Sequence, residues 1–133
     1  MKKAIFFLSI LLATVSCKKS ETDLNIRLAS NMLINKTWYL DYSITDNKMK
    51  TYLGQQTYFI NFFDEIRTSD SDGVGGTYNL SNMNGQLFLT ISGQTSIGNS
   101  ISSSYVVENI GNKNMVLSFV SKGVITKQYY STR

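Results

Sequence analysis

The chain has 133 residues, a formal net charge of +4, one cysteine and no histidine. The lack of histidine excludes histidine-based triads, imidazole acid–base catalysis and histidine metal sites. Because the basic residues of the folded part are scattered among its acids, the sequence has no basic footprint for nucleic acid. We therefore expect no nucleic-acid partner, no metal and no cofactor.

The first segment has the pattern of a secretory signal. Lys2 and Lys3 precede an uncharged run from Ala4 to Ala13 that is too short to remain as a membrane-spanning helix. We predict that residues 1–16 form a signal peptide and are removed. The formal net charge then falls from +4 to +2, because the two lysines leave with the signal.

The only cysteine ends the stretch Thr14-Val15-Ser16-Cys17, which resembles the lipobox of bacterial lipoproteins. This resemblance implies that the Cys17 sulfur carries diacylglycerol and that acyl chains such as palmitate make Cys17 the lipid-modified N-terminus. Thr14 departs from the motif, in which leucine is commonest. A thioether has no thiolate, so Cys17 is excluded as a nucleophile or metal ligand. The alternative is an ordinary secreted protein with a free thiol.

Lipid modification would fix the location of the protein. Two or more acyl chains hold a protein stably in a membrane, whereas one chain binds reversibly. The resemblance therefore implies a cell-envelope lipoprotein anchored in the outer membrane, facing the periplasm or the cell surface. Acidic residues are only interspersed in Lys18–Asp23, so the choice of leaflet stays open.

Residues 17–32 are expected to hold the anchor, a linker and a short helix. Leu24, Leu28 and Met32 recur at helical spacing, and a Thr-Asp pair before them supplies candidates for the N-cap. Three helical turns are marginal in water by themselves. We therefore expect this helix to pack over one end of the following domain as a plug or lid.

From Thr37 onward the apolar pattern changes to the alternation of half-buried strands. Trp38, Leu40, Tyr42 and Ile44 share one face of the first strand. Later strand-like segments are TYFINFF, EIRT, TYNL, QLFLTI, SSYVVEN, NMVLSFVS and VITKQYYSTR. Asn84-Gly85 and Lys122-Gly123 suit tight hairpins between them.

About eight strands joined by hairpins predict an all-β domain over residues 33–133, built as a small antiparallel up-and-down barrel. Closure would remove both free edges of the sheet. The bulky inward set favours a packed core. That set is Trp38, Leu40, Tyr42, Tyr58, Ile60, Phe62, Leu87, Leu89, Met115, Leu117 and Phe119.

Several stretches look like the lipocalin-like domain of bacterial lipoproteins. They are Asn35–Leu40 around the only tryptophan, the aromatic segment ending Phe62-Phe63-Asp64, Gly76–Leu80 and the final Tyr129–Arg133. The resemblance implies that Trp38 closes the barrel base and that Arg133 packs over it through a cation–π contact. Lys36 departs from the family, because lipocalins have a glycine at this place.

The acidic residues do not combine into a catalytic site. Asp64 and Glu65 are adjacent and point to opposite faces of an extended chain, so they do not cooperate as a carboxyl pair. Ser69–Gly73 resembles the start of a calcium loop but lacks the later ligands of that loop, which favours a plain hairpin turn. We therefore expect a protein that is not an enzyme.

The leading hypothesis is a lipoprotein whose barrel binds a small apolar or amphipathic ligand. Its candidate ligand contacts are Tyr42, Tyr58, Phe62, Tyr78 and Phe119, the tyrosines supplying polar tips in an apolar pocket. The alternative is a solid-core barrel. It would present the polar loops Thr45–Gln56 and Gly93–Ser103 to a protein partner or a glycan.

Overall fold

The computed structural model describes residues 23–54 and 57–133. The predicted signal segment and Cys17 lie outside these described residues. Within the described residues, a helix over 23–33 (α1) precedes nine strands. These are β1 Lys36–Thr45, β2 Lys48–Thr51, β3 Phe59–Phe62, β4 Arg67–Asp70, β5 Gly75–Met83, β6 Gln86–Gln94, β7 Ser100–Ile110, β8 Asn114–Ser121 and β9 Val124–Ser131. In the part of the chain so described, no helix combines the length and apolar character that crossing a membrane requires.

Eight of the nine strands close an antiparallel barrel. β3 to β9 pair in chain order, β3 pairs with the first half of β1, and β9 returns to pair with β1. The predicted all-β antiparallel meander or barrel behind a short helix is therefore confirmed, and the pairing of β9 with β1 shows that the barrel is closed. Asn84-Gly85 and Lys122-Gly123 form the hairpins at β5–β6 and β8–β9, with positive φ at all four residues, as these tight turns require.

The strand that does not belong to the closed barrel, β2, lies in a segment predicted as a polar loop. It pairs with the second half of β1 through a turn in which Asp46 and Asn47 have φ of 50° and 58°. All four residues of β2 are exposed, so they carry no apolar alternation that could reveal a strand. The turn residues are the one available signal, because Asp and Asn tolerate the left-handed region.

The second predicted loop, Gly93–Ser103, is also mostly strand. Gly93 pairs with Ile101 and Gln94 with Ser100, so the true connection covers only residues 95–99. Serine-rich strands with a solvent-facing side lack the apolar pattern on which the prediction depends.

A bulge in β1 reverses the facing of the side chains that follow it. Leu40 pairs with Tyr130 and Tyr42 with Tyr129, so Asp41 is an extra residue. Neighbouring residues of β9 alternate between faces, which places Tyr42 on the outer face, stacked on Tyr129 with ring centroids 4.3 Å apart. The expectation that Tyr42 faces inward with Leu40 is wrong for this reason.

The core joins the barrel interior to the end of α1. Its buried members are Leu33, Trp38, Leu40, Ile60, Phe62, Tyr78, Leu89, Met115, Leu117 and Tyr130. Most of the predicted inward set is thus buried together. Leu33 extends this core into α1 and ties the helix to the barrel.

Candidate functional site

The two ends of the barrel can be told apart by the turns of β4. The turn before β4, residues 63–66, lies at the end covered by α1, which we call the base. The turn after β4, residues 71–74, lies at the opposite end, which we call the mouth. The site residues are divided between these two ends.

The base is closed by α1 and by two aromatic side chains. Ala29 and Leu33 of α1 are buried, and the Trp38 Nε1 donates a hydrogen bond to the Leu33 carbonyl oxygen at 3.3 Å. The Tyr78 hydroxyl donates to the backbone carbonyl of Asp64 at 2.7 Å. Burial raises the pKa of Tyr78, so its phenol remains a donor. The helix therefore packs over this end as predicted, but it does so through Ala29 and Leu33, whereas Leu24 and Leu28 of the predicted apolar stripe are 55% and 48% exposed.

The cation over the base tryptophan is not the expected one. The guanidinium carbon of Arg133 lies 4.4 Å from the ring centroid of Tyr39, not over Trp38. Tyr39 follows Trp38 and points to the outer face, which Arg133 reaches. The Nζ of Lys36 instead lies 5.7 Å from the Trp38 ring centroid and donates to the Asn112 carbonyl oxygen at 3.1 Å.

A cavity of about 150 Å³ opens at the mouth. Its lining includes Tyr58, Ile60, Thr68, Asp70, Asp72, Val74, Ile91, Gly93, Ile101, Ser103 and Tyr105. Apolar cavities of roughly this volume accept a molecule of the size of benzene. The cavity is therefore large enough for a compact group and too small for a folded acyl chain.

Two facing glycines shape the wall beside this cavity. Gly76 of β5 pairs with Gly93 of β6. A Cβ on Gly76 would come within 2.1 Å of the Ser92 carbonyl oxygen, and one on Gly93 within 2.9 Å of the Val74 Cγ1. The strands approach closely here, as glycines permit, and leave the inner wall without side chains at two positions.

A tyrosine and a carboxylate meet at the cavity. The Tyr58 hydroxyl donates to Asp70 Oδ2 at 3.1 Å. Burial, followed by the negative charge of Asp70, raises the pKa of Tyr58 well above its ordinary value. Asp70 Oδ1 accepts the backbone amides of Asp72 and Val74, both at 3.0 Å. Among the described residues, no lysine or arginine forms an ion pair with Asp70.

A second tyrosine, Tyr105, lines the same cavity from β7. Its ring meets that of Phe119 at 90° with centroids 5.8 Å apart, and burial raises its pKa. Tyr105 is absent from the predicted ligand contacts, although the alternation of SSYVVEN already indicates its inward direction. Tyr130 lies deeper, where burial raises its pKa well above the ordinary value.

The predicted ligand contacts therefore do not share one pocket. Tyr58 lines the mouth cavity, and Phe119 contacts the ring of Tyr105, which also lines this cavity. Phe62 and Tyr78 pack edge to face at the base with centroids 4.8 Å apart, as core residues. Tyr42 lies on the outer face. Over residues 23–54 and 57–133, no three His, Cys, Asp or Glu side chains gather in a way that could hold a metal ion.

No family model, curated protein or solved structure matches this chain. The resemblance to lipocalin-like lipoprotein domains thus depends on the stretches quoted above. A closed eight-stranded barrel is compatible with that fold and equally with barrel modules of other functions. Function must therefore be argued from the two ends of the barrel.

Proposed function

We propose that this protein is a membrane-anchored envelope lipoprotein whose lipocalin-like barrel binds a small amphipathic molecule at its mouth. The observation that carries the proposal is the mouth cavity, in which apolar walls meet the Tyr58–Asp70 pair. A mostly apolar concave surface with a few convergent polar groups is typical of ligand sites.

The size of the cavity limits the ligand. About 150 Å³ is less than the roughly 300–1,000 Å³ of pockets that enclose drug-sized molecules. The ligand therefore places one compact group in the cavity, and the rest of it lies at the rim. A long fatty acid does not fit inside the barrel, because core side chains fill the space between mouth and base.

The proposed anchor lies on the base side of the barrel. Cys17 precedes the first described residue of α1 by six residues. An extended chain spans at most about 3.6 Å per residue, so Asp23 would lie within about 20 Å of the anchored cysteine. Because α1 covers the base, the mouth is the end of the barrel opposite the attachment and would be open to molecules dissolved in the surrounding compartment.

Native mass spectrometry of the full protein, extracted gently from its own envelope, tests ligand binding. We expect a reproducible extra mass that is released on unfolding. Ser103→Phe places a large ring in the cavity and should remove this mass. Ser102→Phe, on the exposed outer face of the same strand, should retain it. An extra mass in neither wild type nor Ser102→Phe would contradict ligand binding.

The anchor is tested by Cys17→Ala. The wild-type protein should appear in the membrane fraction, with Cys17 as its N-terminal residue and a lipid mass on it. The variant should lose both the lipid mass and the membrane association. A wild-type chain that carries no lipid would overturn this part of the proposal while leaving the barrel site untouched.

One observation favours the alternative of an interaction module. The two segments predicted as loops contain exposed apolar side chains. Among these are Met49, which is 66% exposed, Leu53, which is 61% exposed, and Ile97, which is 81% exposed. Large exposed apolar side chains are candidates for contacts with a partner. If the protein is an interaction module, Ile97→Asp should abolish a crosslink to one defined partner. Ser103→Phe should leave that crosslink intact.

A further inference from the structure

The chemistry of the mouth cavity narrows the class of ligand. Building on the function proposed above, we propose that the mouth cavity binds a compact organic cation, namely a quaternary ammonium or alkylammonium group. The cavity combines two tyrosine rings, an aspartate with which no described lysine or arginine pairs, and apolar walls. This combination is typical of aromatic cages that recognise such cations.

The tyrosine rings are held in place to receive a cation. The hydrogen bond to Asp70 fixes the ring of Tyr58, and the edge contact with Phe119 fixes that of Tyr105. A cation within about 6 Å of a ring centroid is attracted by the negative face of the ring. The protein forms a contact of this kind elsewhere, since Lys50 Nζ lies 5.1 Å from the ring centroid of Tyr52.

The negative charge of the cavity disfavours anionic ligands. Asp70 is half-buried, its carboxylate is oriented by three hydrogen bonds, and no described lysine or arginine pairs with it. Asp72 adds a second carboxylate that likewise has no ion pair among the described side chains. A cationic ligand supplies the missing counter-charge, whereas an anionic ligand is repelled.

The apolar walls favour an organic cation over a metal ion. Ile91, Ile101 and Val74 line the cavity with methyl groups, and in the described part of the chain no three His, Cys, Asp or Glu side chains gather to replace the hydration shell of a metal ion. Methyl groups on a nitrogen pack against such walls and spread the positive charge over a larger surface. A volume of about 150 Å³ accommodates a trimethylammonium group.

Calorimetric titration of the full chain in a maltoside detergent tests the inference. The two probes are choline and 3,3-dimethyl-1-butanol, which has the same shape with carbon in place of the charged nitrogen. We expect choline to bind at least about tenfold more tightly, the contribution of a desolvated cation–π contact and a nearby carboxylate. Equal affinities would overturn the cation inference and leave a ligand-binding mouth. Failure of both probes, with no co-purifying mass, would overturn the proposed function as well.

Single substitutions test which cavity residues cause the tighter binding of choline. Asp70→Asn retains an oxygen for the turn amides but removes the charge, and it should weaken choline binding by about tenfold while leaving the alcohol unchanged. Tyr105→Leu keeps apolar volume and should weaken choline several-fold. Asp46→Asn removes a carboxylate from the exposed β1–β2 turn and serves as the matched control, with no change expected. Unaltered choline affinity in folded Asp70→Asn and Tyr105→Leu proteins would refute the cage.

Discussion

The base and the mouth of this barrel both contain a tyrosine whose hydroxyl donates a hydrogen bond, but the two acceptors differ. At the base Tyr78 donates to a backbone carbonyl, and its ring packs on Phe62 in the core. At the mouth Tyr58 donates to the carboxylate of Asp70, and its ring lines a cavity. The first arrangement stabilises the fold, whereas the second leaves an aromatic face and a charge available to a ligand.

The difference between the ends has a structural origin. α1 brings Leu33 and its carbonyl onto Trp38, so the base is filled by a separate element. No such element covers the mouth in the described part of the chain, and the facing Gly76 and Gly93 leave its wall thin. The same barrel therefore has one end that is filled by core side chains and another that has an open cavity.

The largest expected effect comes from the base. Trp38→Ala should lower the free energy of unfolding by about 3–5 kcal/mol, because it empties a fully buried site that also holds α1. Urea denaturation followed by circular dichroism measures this loss. Tyr105→Leu at the mouth is the matched comparison and should lower the free energy of unfolding clearly less. Equal losses would contradict the larger contribution of the base to stability.

The next effect concerns the mouth wall. Gly76→Ala should destabilise the fold by at least about 2 kcal/mol, because its Cβ meets the Ser92 carbonyl and the backbone must move. Gly75→Ala has open space around its Cβ and should stay within about 0.5 kcal/mol of wild type. Thermal and urea unfolding of both variants measure these changes in stability. A tolerated Gly76→Ala would mean that the two strands are not so closely apposed.

Removing single hydroxyls compares the two tyrosines directly. Tyr78→Phe leaves the Asp64 carbonyl with one fewer donor and should cost about 1 kcal/mol of unfolding free energy. Tyr58→Phe should cost less, since Asp70 is partly solvated and water can replace the donor. Equilibrium denaturation ranks the two; the reverse order would contradict the assigned roles.

The smallest effect is a pH dependence at the base. Backbone hydrogen bonds from Arg67 and Ile66, with the Arg67 side chain, lower the pKa of Asp64 from 3.8 to about 2. Because the folded pKa lies below the unfolded one, this stabilisation is present above about pH 4 and is lost as pH falls toward 2. Urea midpoints across this range should decline less in Asp64→Asn. Parallel declines in both proteins would assign the acid sensitivity to other carboxylates.

Much of the barrel could be predicted from local patterns, and the site could not. Alternation marks β1, β6 and β8, because each has one face in the core. The facing of Tyr42 depends on a bulge that forms only when β1 pairs with distant β9. The contact of Tyr58 with Asp70 likewise depends on the register of β3 against β4, in which Ile60 faces Asp70. Contacts across strands are set by pairing, which local sequence does not contain.

The most direct test of the account is a two-dimensional NMR titration of the full chain in detergent with choline and then with 3,3-dimethyl-1-butanol. We expect the backbone amide signals of Gly93 and Ser103 at the mouth to shift, while the signal of the Trp38 indole N–H at the base stays in place. A shift of the indole signal with the mouth amides unmoved, or no shift with either molecule, would contradict it.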